Sequence, residues 1–568
     1  MKKLINDPRN LVREVLESLV DTTPGLALLE TENVLIRLDD RPAEQRPVAV
    51  LSGGGSGHEP GHAGYVGDGM LSAAIAGDVF TSPSVDAVLA GIKAVAGPRG
   101  AVLIVKNYTG DRLNFGLAAE MATAQGIPTE VVVVADDVAL RDTVAPERRR
   151  GIAGTVLVHK VAGAAALHGH SIGEVAALAR EAAEAVGTMG VALGPCIVPS
   201  VGKPGFTLGD DEIEIGLGIH GEKGVERMKM QPADMLVDRL VDTIVADKAL
   251  KAGQRVAILV NGLGATPPIE LAVVARRALA RARELGLSVE RLYTGTYLSA
   301  LDMPGCSVSL LALNDRLLDA LDAPTTARGW TSDGRIADCR RLVPTPSTFN
   351  ASSYSEPRGP QADEIHSVAL AVAARLMAEE PLLADLDSQA GDGDLGASMA
   401  RGAEAIRALP PEAFNTPASA CRAIADALRR AIAGSSGPFY AVGLFRAAAE
   451  LEGRNAACAE DWCRAFSAAV ASVEELGGAR VGNRTMVDAL RPAAEAWAKA
   501  LSSGTDPVEA FAAAASAAQA GAAATEDMIA TLGRASYLGE RVKGVQDGGA
   551  VAVSIWLDAI RQRISSQT

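Results

Sequence analysis

The stretch VPTPSTFNASSYSEPRGP, residues 343–360, is rich in Pro, Ser and Asn and has no apolar period. It can join neither a buried strand nor an amphipathic helix and reads as a linker. The hydrophobic patterns on its two sides do not belong to one fold. Before it, from about Pro47 to about Leu313, short apolar runs (PVAVL, AVLIV, TEVVVV, RVAILV) end in glycine-rich turns and alternate with helical stretches. Such runs are what strands buried on both faces require, and their alternation with helices predicts α/β architecture. After it alanine dominates, and segments such as HSVALAVAARLMAEE and ACRAIADALRRAIA carry helical spacing. No strand-like run of Val, Ile or aromatics survives there. The expected organisation is an α/β domain over 1–342 built from two α/β subdomains, a linker over 343–360, and an all-helical domain over 361–568. Residues 145–200 read as mostly helical, with a second strand–helix series beginning near Arg255. As a flexible coil the linker spans roughly 20–25 Å, and about 60 Å fully extended, enough to bring one domain over the other.

Composition narrows the function. The chain of 568 residues is 48% hydrophobic and 22% charged, ordinary for a globular protein. No apolar run approaches the ~18 residues of a membrane span. The start, MKKLINDPRNLVREVL, lacks the apolar core of a signal peptide. Six scattered cysteines form no C-x-x-C pair, which argues against a zinc site or disulfide framework and fits a reducing cytoplasm. A net charge of -15 argues against nucleic-acid binding. A phosphate ligand would need local donors or metal ions to overcome that field.

In EIEIGLGIHGEKG, Ile213, Ile215, Leu217 and Ile219 alternate with Glu212, Glu214, Gly216, Gly218 and His220. This predicts a half-buried strand with His220 on its polar face. Gly216, Gly218 and Gly221 match G-x-G-x-x-G in form only. A dinucleotide loop follows a continuous apolar strand and opens a helix, whereas Glu222-Lys223-Gly224 interposes another turn. In SGGGSGHEPGH, the glycines Gly53, Gly54, Gly55 and Gly57 follow a buried strand and let a small ligand approach the backbone. His58 ends that loop. AVLIV is followed by Lys106 and, five residues on, by Asp111. Ligands of open α/β sheets bind beyond the carboxyl ends of strands, so His58 and Asp111 take equivalent places; alternatively they are a turn residue and a helix cap. His58 and His62 have metalloprotease spacing, but Pro60 and Gly61 forbid the helix it needs. His62, His159, His168, His170 and His366 read as structural or surface residues.

In DLDSQAGDGDLGASM, Asp387, Asp392 and Asp394 fall in one loop ahead of a helix expected near Ala397. Carboxylates so close repel unless a cation shares them. The EF-hand pattern counted from Asp392 fails at Gly396, Ala397 and Ala403, whereas Mg²⁺ takes few carboxylates and completes its shell with phosphate oxygens and water. In GSSGPFY, Ser435 and Ser436 precede Pro438, a residue suited to the first position of a helix, and a helix N-terminus is an anion site. GNRTMVDAL and GRASYLGERVKGVQDGGA add glycine-flanked loops with Arg484, Thr485, Arg534 and Asp547. No Walker A sequence occurs.

Taken together, GGGSGHEPGHAGYVG, GDVFTSPS, NYTGD, GLGIHGE and GTYLSALDMPGCS, then the three aspartates, GSSG, RTMVDAL and GRASYLGER, resemble the dihydroxyacetone (glycerone) kinase family in its fused, ATP-using form. The resemblance covers nearly the whole chain outside the linker. It implies phosphorylation of dihydroxyacetone by ATP, with His220 bonded to the substrate carbonyl as a hemiaminal and His58 and Asp111 as the acid/base pair. It implies substrate contacts from Gly53, Gly54, Gly55, Ser56, Lys106 and Asp111. For the second domain it implies an eight-helix barrel, with two Mg²⁺ ions on Asp387, Asp392 and Asp394. Nucleotide contacts would come from Leu395, Gly396, Ala397, Ser398, Ser435, Ser436, Gly477, Thr485, Met486, Asp547, Gly548 and Gly549. A homodimer is the implied assembly. Asn483, Val545 and Gly548 depart from the Asp, His and Pro common in the family, all near the nucleotide. Kinases of erythrulose or glyceraldehyde would share the same machinery, and some relatives are lyases that cyclise the AMP part of FAD with Mn²⁺. A carbonyl-binding regulator would lack the acid/base or metal residues, all of which stand here.

Overall fold

The computed structural model describes residues 2–345 and 356–566 and divides into two compact units, Met1–Leu342 and Val343–Thr568. Residues 346–355 of the expected linker lie outside the described residues.

The first unit holds two six-stranded sheets. One is built from β1 (Leu26–Leu28), β2 (Val34–Arg37), β3 (Ala49–Ser56), β4 (Ala73–Val79), β5 (Ala101–Lys106) and β6 (Thr129–Val134), in the order β1-β2-β4-β3-β5-β6. The strands β4, β3, β5 and β6 run parallel. The chain leaves β3 for β4 on one side and later returns to β5 on the other. Their carboxyl ends therefore open a crevice where the strand order reverses. The second sheet is built from β7 (Val186–Ala192), β8 (Glu212–Ile215), β9 (Glu226–Lys229), β10 (Arg255–Gly262), β11 (Ser288–Gly295) and β12 (Gly305–Ala312), in the order β11-β10-β12-β7-β8-β9. Its only parallel pair among the described residues is β10 with β11.

Strand β5 shows why the apolar runs are unbroken. Val102 and Ile104 enter one core, with Val50, Val132 and Val134. Ala101, Leu103 and Val105 enter another, with Leu51, Ile92 and Phe115. The first of these cores continues through the helices Thr155–Leu167 and Ile172–Ala185 to Ala257, Leu259 and Leu311 of the second sheet. A layer of helices thus lies between the sheets. Helix Thr155–Leu167 is buried on every side except at Leu167, and apart from Thr155, His159 and Lys160 it is apolar all round, as suits a core helix. Fully buried Leu157 and Val161 each contribute roughly 1.5–3 kcal/mol. Lys160 of this helix donates to the carbonyls of Ala320 (2.8 Å) and Ala323 (2.6 Å), which close helix Asp315–Asp322.

Two local expectations need correction. Residues 145–200 contain strand β7, VGTMGVA, whose Gly187 and Gly190 dilute the apolar run that would have marked it. Strand β8 ends at Ile215: Gly216 adopts φ +69°, the chain turns, and His220 stands in a turn rather than on a strand. Glu214, assigned by alternation to the polar face, is buried and paired with Arg227.

The second unit has no strand among its described residues and nine α-helices. Eight pack in chain order: Ala362–Ala378, Leu395–Arg407, Pro417–Ala431, Ser436–Glu450, Ala459–Gly477, Val487–Ser502, Pro507–Ala524 and Gly548–Ser565, with the last against the first. Glu380–Ala390 lies on Leu395–Arg407 and Gly548–Ser565. The ring surrounds a cavity of about 480 Å³ lined by apolar residues such as Val372, Leu428, Phe466 and Trp497. No described helix is long and apolar enough to cross a membrane.

A Cβ added at Gly163 would lie 2.3 Å from the Met70 Cα and 2.5 Å from its backbone nitrogen and oxygen. Gly163→Ala is therefore expected to destabilise the first unit by about 1–3 kcal/mol, read as a lower urea midpoint. Gly173→Ala, where nothing lies within 4 Å, is expected to be neutral or slightly stabilising through helix propensity.

Candidate functional site

The end of β3 is shaped by what its glycines leave out. A side chain at Gly53 would meet the Ile75 carbonyl of β4 at 2.2 Å, and one at Gly55 would meet Thr81 N at 2.5 Å. Both are needed for the strand and its turn to pack. Gly54 differs. An atom placed where its side chain would begin lies 3.3 Å from Asp111 Oδ2 and 3.6 Å from Lys106 Nζ. The missing side chain leaves a small space walled by a carboxylate and an amine. Ser56, expected to touch substrate, has its hydroxyl committed to the Gly77 carbonyl at 2.7 Å.

Lys106 is the last residue of β5, and Asp111 lies in the first turn of helix Thr109–Ala124. Lys106 is buried with no hydrogen-bond partner at Nζ. Burial pulls its pKa down to about 8 against the opposing pull of Asp111, Glu222, Glu59 and Asp136. Burial raises the Asp111 carboxyl, while Lys106 and a hydrogen bond donated by the Ser82 hydroxyl act the other way.

His58 and His220 meet across the two sheets. The loop after β11 binds the loop after β3: Ser299 N donates to the His58 carbonyl (3.1 Å) and Leu301 N to that of Gly57 (2.7 Å). His58 Nδ1 lies 2.8 Å from the Ser299 carbonyl, and its Nε2 lies 3.1 Å from His220 Nε2. His220 Nδ1 lies 2.9 Å from Glu222 Oε1, and its backbone N–H donates to Oε2 at 2.9 Å. Burial would raise Glu222, but the bonds from His220 outweigh it and hold the carboxyl at about 2. A carbonyl and a carboxylate only accept, so both Nδ1 atoms donate. Two bare lone pairs would then oppose each other, and one proton must lie between the Nε2 atoms. Burial, Lys106 and His220 hold His58 well below the ordinary histidine pKa. A positive charge on the pair is offset where Glu222 meets His220.

Phe80 and Tyr108 wall the His220 ring, with centroids 5.0 and 4.6 Å away. Arg150, anchored on Asp137 (2.7 Å), donates to the Gly216 carbonyl (2.8 Å) and fixes the turn. The glycine spacing of this segment has a local cause. A Cβ at Gly218 would sit 2.1 Å from Glu222 Oε2 and 2.6 Å from Arg150 Nη1. Of these supporting residues, Glu222, Phe80, Ser82, Tyr108 and Ser299 lie in the motifs GLGIHGE, GDVFTSPS, NYTGD and GTYLSALDMPGCS without having been singled out there, and Arg150 lies in none of them.

In the second unit, carboxylate oxygens of Asp387, Asp392 and Asp394 all lie within 4.8 Å of one another. That spacing fits one shared hard cation with oxygen ligands. They do not share one loop: Asp387 is in helix Glu380–Ala390 and also accepts from Leu395 N, whereas Asp394 immediately precedes a helix that starts at Leu395 rather than Ala397. Gly396 is needed for packing, since a Cβ there would meet the Glu380 carbonyl at 2.4 Å. Leu395, Met486 and the Asp547–Gly549 helix start converge. Leu395 Cδ2 lies 2.7 Å from a Cβ at Gly548, and the Met486 Cβ 3.6 Å from one at Gly549. Asp547 caps that helix through Ala550 N (2.8 Å), and burial raises its carboxyl to about 6. Ser435 and Ser436 open helix Ser436–Glu450 two residues before Pro438, so the proline is not its first residue. Gly477 lies against Phe439 of that helix. Thr485 N donates to Asp488 at 2.8 Å.

The chain matches the Dak1 domain over residues 17–329 and the DAK2 domain over residues 389–562. It is 44% identical to a putative 3,4-dihydroxy-2-butanone kinase of Solanum lycopersicum, over 98% of this chain and 97% of that protein. It is 41% identical to the triokinase/FMN cyclase of Homo sapiens, over 100% of both. Among solved structures it matches the dihydroxyacetone kinase from C. freundii in complex with AMP-PNP and Mg²⁺ with a TM-score of 0.62, 34% identity and 99% coverage of each chain.

If the three aspartates hold a divalent cation, Asp392→Asn is expected to weaken Mn²⁺ binding at least about tenfold by titration calorimetry, with an unchanged melting temperature. Equal affinity in both proteins would mean the cation binds elsewhere.

Proposed function

The chain belongs to the dihydroxyacetone kinase family, in its fused two-domain, ATP-dependent form, and from that premise we propose that it transfers the terminal phosphate of ATP to dihydroxyacetone held on His220 as a hemiaminal. The contact between the two Nε2 atoms at 3.1 Å carries this reading. The shared proton passes from His220 to His58, freeing the His220 Nε2 lone pair to attack the carbonyl carbon. The carbonyl pair moves to oxygen, and His58 returns the proton to it. A C–N bond and a hydroxyl result, and the positive charge stays on the His220 ring, against Glu222. Such a nucleophile selects carbonyl compounds over polyols and fixes the hydroxyl to be phosphorylated. Asp111, made more basic by burial, takes that hydroxyl's proton.

Asp387, Asp392 and Asp394 would hold Mg²⁺, for which we propose two ions with ATP. Leu395 to Ser398, Ser435, Ser436, Gly477, Thr485, Met486 and Asp547 to Gly549 would frame the nucleotide. Bound Mg²⁺ supplies neutralising charge where the transferred phosphoryl group develops it. We read the ring of helices that bears these loops as a closed barrel.

The activities named for the relatives favour two variations. A four-carbon ketone such as erythrulose or an aldotriose such as glyceraldehyde would use the same residues, and initial rates across a panel of such sugars would rank them. The FMN cyclase activity named for the human relative makes lyase action on FAD the second reading, with the FMN part, rather than the AMP part, as the half that is cyclised. Incubation with FAD and Mn²⁺, followed by a search for the cyclic phosphodiester, tests it.

His220→Ala is expected to lower kcat/KM for dihydroxyacetone at least about a hundredfold and to abolish the substrate adduct seen by intact mass. Full activity in the variant would reject the covalent anchor. Ser82→Ala removes a hydrogen bond that favours the ionised form of Asp111, so the Asp111 pKa rises. A base works only when ionised, and the acid limb of the kcat/KM profile should move to higher pH. An unmoved limb would take the base role from Asp111.

A further inference from the structure

Hemiaminal chemistry leaves Lys106 without a reaction of its own. Its amine ends β5 inside the pocket, is fully buried, and has no hydrogen-bond partner. A lone ammonium in such a place is costly. Burial brings the group to about 8, so roughly a tenth is free amine at pH 7, on the order of a hundredfold more than for a surface lysine. The geometry adds a target. The position a Gly54 side chain would take lies 3.6 Å from Lys106 Nζ and 3.3 Å from Asp111 Oδ2, so the amine and the carboxylate flank the same bare stretch of backbone.

We propose that Lys106 is a second carbonyl nucleophile, forming an imine with short hydroxyaldehydes and hydroxyketones lodged over Gly54. The inference rests on the reading of this pocket as a carbonyl site. The ammonium–carboxylate pair first rearranges to free amine and Asp111 acid. The Nζ lone pair forms a bond to the carbonyl carbon, and an N–H proton moves to the carbonyl oxygen, giving a carbinolamine. Asp111 then protonates that hydroxyl, which leaves as water while the nitrogen lone pair closes the C=N bond. The products are a protonated imine, water and the Asp111 carboxylate, whose charge faces the imine. A carbonyl held by His220 is unavailable to Lys106, so the two adducts exclude one another.

Borohydride reduces an imine and leaves a hemiaminal unreduced, which separates them. Full-length His220→Ala, incubated with glyceraldehyde or dihydroxyacetone at pH 7 and treated with borohydride, is expected to gain the mass of one triose less one oxygen atom. Peptide mapping should place the label on Lys106 ahead of every exposed lysine, and Lys106→Met in the same background should remove it. Label spread over exposed lysines with Lys106 unmodified would overturn the proposal, and mapping gives that answer even if the double variant does not fold. Kinase turnover of the parent and its loss in His220→Ala test the hemiaminal separately. An active parent with an unlabelled Lys106 would sink the imine alone.

Discussion

The interaction on which the first unit turns is the meeting of two imidazoles at their Nε2 atoms, 3.1 Å apart. Each ring has its Nδ1 fixed by a group that can only accept, the Ser299 carbonyl for His58 and the Glu222 carboxylate for His220. Neither ring can turn its Nε2 away without losing that bond. His58 follows a strand of one sheet, while His220 and Ser299 follow strands of the other. The 3.1 Å contact therefore exists only while the two sheets hold their relative position. That is the task of the helical layer between them, where Thr155–Leu167 has no exposed face and no spare volume at Gly163. Close packing transmits small displacements instead of absorbing them, so the core fixes the distance that the chemistry needs.

The site also answers the problem posed by an acidic chain. Net charge -15 opposes the approach of phosphate compounds at long range, but salt screens exposed charges beyond about 8–10 Å. What counts is the local sign. In the first unit a buried amine and a shared imidazole proton face the pocket, with Asp111 and Glu222 each bound to a donor. In the second unit the three clustered aspartates make a site for cations, and anions can follow the cation.

Much of this was legible in the sequence, for physical reasons that differ by element. Strands buried on both faces announced themselves as apolar runs, and β3, β5 and β10 lie where those runs fall; β6 falls on such a run too, but as an edge strand it leaves Val133 exposed. Strand β7 is buried on both faces too, but glycines stand where its neighbours approach: a Cβ at Gly187 would come 2.9 Å from Val138. Alternation around His220 was over-read, because a strand of four residues followed by a turn keeps its buried Leu217 and Ile219 without keeping a pleat. His58, Asp111 and His220, for which we propose the chemistry, could be singled out from strand ends and glycine context. Their partners could not. Ser299 lies 241 residues from His58 and acts through its backbone carbonyl, to which any side chain is neutral.

The departures near the nucleotide follow the same logic. Asn483 is tied at both ends of its amide: Oδ1 accepts from Arg480 N at 2.7 Å and Nδ2 donates to Thr531 at 2.8 Å. An aspartate there could accept the first bond but offer no donor for the second. Val545 contributes its carbonyl, which takes a 2.9 Å hydrogen bond from buried Arg484, so the identity of its side chain is free to change. At Gly548 any side chain would press on the Leu395 tip, and Leu395 opens the helix that Asp394 immediately precedes. Glycine at 548 and leucine at 395 are thus one packing choice. Asn483, Val545 and Gly548 thus act on how the loops brace one another, and none of them is among the clustered carboxylates.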